Sequence, residues 1–326
     1  MGIRLAGIAL GLVLVALCLC ASIVYGKQAI PAVEAYRSLF EFDGSREHLI
    51  VRTVRVPRAL IAMSVGACLA MAGAVMQAVT RNPLAGPELF GVNQGAAFAI
   101  VVPLYAFGHV SASGSVAYAY LGAGVAGAVV YLLGIMGTGG LTPLKLVLAG
   151  STINLLLGAL TQGLLVLDEQ SLDTMRFWLA GSLTGRSSAA YARVLPFMLA
   201  GIALTLAMSR HIHTLSLGED TARGLGLRTG RVKGTSLIAV VLLAGSSVAI
   251  AGPIGFVGLA IPHVARYVVG TDYRWVLPYS AIMGALLLLL ADIAARFVVP
   301  SQEISAGVVT AMLGAPFLIY LAQRRA

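Results

Sequence analysis

Between Glu88 and Lys145 the chain runs for 56 residues without an Asp, Glu, Lys or Arg. No soluble surface can be built from such a stretch, because a folded domain of ordinary composition carries about 25% charged residues. The pattern is general. Leu5–Gly26, the interiors of 59–81 and 145–168, and Ile304–Gln323 are also uncharged. Each is near the roughly 20 residues that a helix needs to cross a bilayer. Over the whole chain 59% of residues are hydrophobic and 11% charged, which excludes both a water-soluble particle and a disordered chain.

Placed with their turns, the apolar intervals predict about ten transmembrane helices, centred near residues 15, 68, 99, 125, 156, 200, 242, 263, 285 and 314. The eighth, around Pro262, is short. A transmembrane barrel would need alternating segments of about ten residues; the runs here are continuous and twice that length. Glycine is abundant, 38 residues, and its spacing at Gly91 and Gly95, and at Gly122, Gly124 and Gly127, allows close helix approach. Met1–Arg4 and the apolar run after it read as a retained first span rather than a cleaved leader, since no small-residue cleavage site precedes a polar start. Cys18, Cys20 and Cys68 sit in apolar runs and suggest no disulfide framework.

With ten spans both termini share one side. That side collects 12 of the 22 cations, Arg324 and Arg325 among them, while eight of the 13 acids fall on the other. The 12:10 split barely favours cytoplasmic termini by the positive-inside rule, and charge alone leaves the orientation open. Loops of about 26–57, outside, and 211–233, inside, are the longest polar segments of a single domain, 1–326.

Catalytic signatures are missing from the sequence. The one Gly-Lys pair, Gly26-Lys27, is followed by Gln28, so no phosphate loop exists. The histidines are scattered, and His211 and His213 read as a solvated pair and not as metal ligands. The net charge of +9 is spread over two membrane faces, which argues against nucleic acid. Ion-driven carriers keep acids within their spans; here only Asp292 lies clearly inside one. Arg296, one turn on, offers it an internal ion pair. In the 211–233 loop, Glu219 and Asp220 favour a helix start and Gly224 or Gly226 a helix end, which predicts a very short helix.

Four ordered blocks carry a family resemblance. They are Arg55-Val56-Pro57-Arg58 through Arg81-Asn82-Pro83-Leu84-Ala85-Gly86-Pro87 and Gly91; Leu217-Gly218-Glu219, Ala222-Arg223 and Leu225-Gly226-Leu227; Gly252-Pro253-Ile254-Gly255-Phe256 with Pro262-His263 and Arg266; and Ala291-Asp292, Arg296, Glu303 and Gly314-Ala315-Pro316-Phe317. Over nearly its whole length the chain resembles FecCD-type permease subunits of binding-protein-dependent ABC importers for ferric siderophores, haem and cobalamin. The resemblance implies an all-α helical-bundle ABC importer permease in the bacterial cytoplasmic membrane, with ten spans and cytoplasmic termini. It implies a dimer of permeases, identical or not, two ATPase subunits that carry ATP and Mg, and an extracytoplasmic substrate-binding protein. The chain itself would bind no cofactor or metal.

The resemblance also implies site roles. Leu217, Gly218, Glu219, Ala222, Arg223, Leu225 and Gly226 would engage the ATPase. Asn82, Leu84, Pro143 and Leu144 would form the cytoplasmic gate, although Pro143 also suits a helix start. Arg55, Arg58 and Arg296 would meet acids of the binding protein; with Arg52, the first two share a helical face, and lipid phosphates are their other natural partner. Pro253, Pro262 and Pro316 read as hinges or as plain kinks. An intact ferric siderophore is the expected cargo, with cobalamin or haem as alternatives. An ion-coupled carrier is the reading from another class.

Overall fold

The computed structural model describes residues 2–137, 141–299 and 303–323. Arg324 and Arg325, counted above with the cytoplasmic charges, lie outside them. Among the described residues the secondary structure is helical throughout.

In chain order the helices are α1 (Gly2–Val24), α2 (Ala32–Phe40), α3 (Arg46–Thr80), a 3-10 turn (Pro87–Phe90), α4 (Val92–Phe107), α5 (Ala112–Ile135), α6 (Pro143–Leu167) and α7 (Glu169–Leu179). They continue as α8 (Ser188–Ala207), α9 (Ser209–Ser216), α10 (Glu219–Gly224), α11 (Thr229–Ala251), α12 (Val257–Val269), α13 (Tyr273–Phe297) and α14 (Ala306–Gln323). Each expected span centre falls in an apolar helix. Seven of these, α1, α3, α5, α6, α8, α11 and α13, are long and apolar enough to cross a membrane. The apolar helices 92–107 and 257–269 and the apolar part of α14, 306–317, are shorter. The 26–57 segment, expected as a loop, is mostly helical: it holds α2 and the first turns of α3.

Local chemistry sets the helix boundaries. Side chains of Ser111, Thr142, Asp168, Ser187 and Asp272 accept backbone N–H groups at the starts of α5, α6, α7, α8 and α13, satisfying donors that a helix start leaves open. Pro143 takes the first position of α6, where its missing N–H costs nothing. Pro262 and Pro316 lie within α12 and α14, and Pro253 in the link before α12. In α3 a π turn at Val51–Arg55 widens the helix just where the Pro57 ring would press on the carbonyl one turn earlier.

The core forms around α3, which is buried along most of its length and packs on α13, α12 and α8. Close contact there depends on missing side chains. A Cβ on Gly66 would lie 2.2 Å from the Gly284 carbonyl of α13, and one on Gly73 only 1.7 Å from the Gly258 carbonyl of α12. Gly95 and Gly122 interlock α4 and α5 in the same way, whereas Gly124 faces open space. Small residues replace the hydrophobic effect as the packing device where helices meet in lipid. All three cysteines are free.

A backbone carbonyl cannot swing aside as a side chain can. Gly73→Ala should therefore lower stability by about 2 kcal/mol or more, while Gly124→Ala should leave it within about 0.5 kcal/mol. Unfolding of the purified protein in detergent, read by near-ultraviolet circular dichroism, checks the difference.

Candidate functional site

Two polar constellations stand at opposite ends of the α3–α13 pair. The first gathers around Asp292 of α13, which is fully buried. Arg58 Nε of α3 donates to Asp292 Oδ1 at 2.9 Å and Oδ2 at 3.2 Å, and its Nη1 donates to Glu303 Oε2 at 2.7 Å. Thr184 Oγ donates to the same Glu303 oxygen at 3.1 Å. Arg296, one turn after Asp292, donates to its Oδ2 through Nη2. The pair expected from the i, i+4 spacing is therefore one edge of a larger network that spans α3, α13 and the segment after it.

Further guanidinium hydrogens serve the end of α1. Arg296 Nη1 donates to the carbonyls of Ser22 and Tyr25, both at 2.7 Å, and Arg55 Nη1 to those of Ile23 at 3.0 Å and Val24 at 2.6 Å. These carbonyls end α1, where the helix has no N–H groups left for them and its dipole is negative. Arg55, Arg58 and Arg296 are thus all buried, with internal partners. Arg52, by contrast, reaches the carbonyls of Ser38 and Leu39 in α2 and stacks on Phe42.

The second constellation is the segment α9–α10–α11. Gly218 takes a positive φ of 123° and Gly226 one of 81°, so the chain turns sharply at both ends of α10, in a region that L side chains rarely adopt. Glu219 opens α10 and receives Arg223 Nη2 at 2.7 Å and Lys233 Nζ at 2.6 Å; Lys233 also donates to the Leu141 carbonyl at 2.6 Å. Burial pushes the Glu219 carboxyl up, but the Lys233 and Arg223 charges and the Thr229 hydroxyl outweigh it and hold it below its ordinary value. Ala222, the middle of the helix, is fully buried against this platform, while Leu217 and Leu225 project outward. Beside them lies a cavity of about 550 Å³ whose lining includes Gln77, Arg81, Leu217, Arg266 and Tyr273.

The segment that leaves α3 carries the expected gate residues. Asn82 Oδ1 accepts the Leu84 N–H at 2.9 Å, which leaves Leu84 exposed, as is Leu144 on the first turn of α6. The chain then dives along α6. Asn154 Nδ2 donates to the Glu88 carbonyl at 2.9 Å, and a Cβ on Gly150 would strike the Leu89 carbonyl. Sequence reasoning missed Lys233 as the ion-pair partner of Glu219, Arg58 as a partner of Asp292, and Glu303 as the second carboxylate on Arg58. Among the described residues no group of three His, Cys, Asp or Glu side chains is placed to hold a metal ion.

Removing Asp292 leaves two buried guanidinium groups facing each other. Asp292→Asn should cost about 3–5 kcal/mol, and adding Arg296→Gln should cost less than the sum of the two single changes, with a coupling of about 1 kcal/mol or more. Additive losses in that cycle, measured by denaturation in detergent, would show the two side chains acting separately.

The FecCD transport family profile matches residues 13–324. The chain is 47% identical over 308 residues to the probable siderophore transport system permease protein of Bacillus subtilis, covering 94% of this chain and 92% of that protein. It is 44% identical to the ferric enterobactin transport system permease of Escherichia coli over 93% of this chain and 91% of the other. Among solved structures, an ABC transporter assigned to the metal-chelate type, in an inward-facing conformation, superposes with a TM-score of 0.86 at 30% identity, covering 99% of this chain and all of that one. With one profile spanning almost the entire chain, and with relatives this similar at full length, the protein belongs to the FecCD transport family.

Proposed function

We propose that this chain is the permease subunit of an ATP-driven importer that passes an intact ferric chelate, of the siderophore type, across the bacterial cytoplasmic membrane. The observation that carries the proposal is α10: a six-residue helix on a Glu219–Lys233 platform, presenting Leu217 and Leu225 outward, in a chain of the FecCD family that has no nucleotide motif of its own. A short braced helix with two exposed leucines suits a groove on an ATPase. Ala222 serves that contact from within, by letting the helix seat closely.

In this reading the seven long helices and three shorter ones make ten spans. Both termini and α10 face the cytoplasm, and a second permease copy, two ATPase subunits holding ATP and Mg, and an extracytoplasmic binding protein complete the importer. Leu84 and Leu144, with Asn82 and Pro143, form an apolar constriction at the cytoplasmic end. The Asp292 network lies at the outer mouth. There Arg55, Arg58 and Arg296 serve the docking of the binding protein by fixing the ends of α1, α3 and α13, since all three are buried and bonded to groups within the chain. The names of the relatives favour iron chelates, and the lack of a metal-ligand cluster among the described residues suits a cargo that travels whole.

Reconstitution in liposomes with the cognate ATPase and binding protein tests this. Uptake of a ferric siderophore should require ATP, and haem and cobalamin should not be carried. Leu225→Glu should abolish uptake or reduce it at least tenfold while the permease still folds, because the side chain is largely exposed on α10's end. Uptake driven by an ion gradient without ATP would replace the proposal with a secondary carrier.

A further inference from the structure

The cavity of about 550 Å³ beside α10 has a lining of one sign. Arg81 and Arg266 contribute guanidinium groups, His213 and His263 imidazoles and Tyr273 a phenol, and among the described residues no Asp or Glu lines it. Neither arginine forms an ion pair with another described residue. Two acids of the flanking segments are engaged elsewhere: Glu219 holds Arg223 and Lys233, and Asp272 holds Arg274, although its charge also reaches His213. Polar atoms of the lining residues lack partners as well. Arg266 Nη2, His213 Nδ1 and Gln77 Oε1 are buried without a hydrogen-bond partner among the described residues. Gln77 is 4% exposed, and its amide N–H is spent on the Leu259 carbonyl. Burying a polar atom unpaired is costly, so this lining suits a charged, hydrogen-bonding guest.

Four helices bring these groups to one end of the bundle. Arg81 ends α3 in the left-handed conformation, at φ 51°. Its Nη1 lies 3.9 Å from where a Cβ on Gly218 would stand, at the turn that opens α10. His213 is on α9, Arg266 on α12, and Tyr273, whose hydroxyl Arg266 approaches, begins α13. Tyr267, also in the lining, is 91% exposed, and Trp275 carries Arg4 over its ring at 5.7 Å. Exposed Tyr and Trp mark the membrane–water boundary.

We propose that this cavity binds a phosphate group, borne by a phospholipid headgroup or by free phosphate. A phosphate presents several charged acceptor oxygens on a tetrahedron, which suits guanidinium groups arriving from different helices. A carboxylate has two oxygens in one plane and answers fewer of the donors here. The volume lies within the range of small-molecule pockets, roughly 300–1,000 Å³, which leaves room for the glycerol that esterifies a headgroup phosphate. In the orientation proposed above the site lies at the cytoplasmic leaflet, where basic pockets between helices collect anionic headgroups. A phosphate held there bridges the end of α3, α9 and α12 and braces the Gly218 turn. The site is an addition to the permease reading, and its binding is measured without ATP or cargo, so the failure of one is distinguishable from the failure of the other.

The test is ligand protection of a thiol in the lining. Ser216 lines the cavity and is partly exposed, so Ser216→Cys is made in the full-length chain, purified in dodecyl maltoside and stripped of lipid. Modification of residue 216 by uncharged N-ethylmaleimide is followed by mass spectrometry, apart from Cys18, Cys20 and Cys68. Millimolar inorganic phosphate, or phosphatidylglycerol added to the micelles, should slow it roughly fivefold or more. Protection by phosphatidylglycerol alone identifies the lipid headgroup as the source, and protection by inorganic phosphate identifies the free anion; either outcome supports the site. Arg81→Gln or Arg266→Gln should raise the half-protecting concentration roughly tenfold. Arg81 is exposed at a helix end, so its variant keeps the fold. Equal protection by chloride at the same ionic strength overturns the proposal, as does protection that survives both arginine changes, or none from either phosphate source. A thiol that stays unreactive without ligand would show a cavity closed to solvent and overturn it. Protection that appears only with the ATPase subunit would give the cavity to an acidic side chain of that partner, and would overturn it too.

Discussion

A buried carboxylate in an apolar helical bundle is tolerable only when its charge is matched on the spot. Asp292 meets that condition with two guanidinium groups, Arg58 from α3 and Arg296 from its own helix. Because each arginine has hydrogens to spare, the network extends outward, through Glu303 on one side and through the terminal carbonyls of α1 on the other. Arg55 closes the remaining carbonyls. Three helices far apart in sequence are thereby tied at one end by ionic and charge-assisted hydrogen bonds, which are stronger than neutral ones.

From that tie the glycine contacts carry rigidity along α3. Backbones touch at Gly66 with Gly284 and at Gly73 with Gly258, so α3, α12 and α13 have little freedom to slide. The other end is built differently. α10 is short and bounded by two positive-φ glycines, and it is anchored chiefly by Glu219 to Lys233. In the permease proposed above, a tied end and an end bounded by two turns on one packed unit would suit a device that converts a push on α10 into a change of opening elsewhere.

Much of this was readable before any coordinates, for identifiable reasons. Spanning helices must be continuously apolar, so the uncharged intervals located every apolar helix. The span around Pro262, expected to be short, is the 13-residue α12. The Asp292–Arg296 pair followed from helical spacing. The Arg58 contacts to Asp292 and Glu303 did not, since pairing across more than 200 residues leaves no local pattern. The family resemblance implied an outward role for Arg55 and Arg58; the open carbonyls of α1 draw Arg55 inward and Asp292 draws Arg58. The resemblance implied a contact role for Ala222, which is buried; six residues are too few for the sequence to show which face of α10 turns inward.

The central claim, one fixed end and one moving end, is tested most directly by hydrogen exchange on the intact complex with its ATPase and binding protein, with and without a non-hydrolysable ATP analogue. Amides of residues 217–227 should change exchange rate at least several-fold on nucleotide binding. Those around Asp292 and Arg296, and at the end of α1, should stay protected and unchanged. Equal changes at both ends, or a change confined to the Asp292 end, would contradict it.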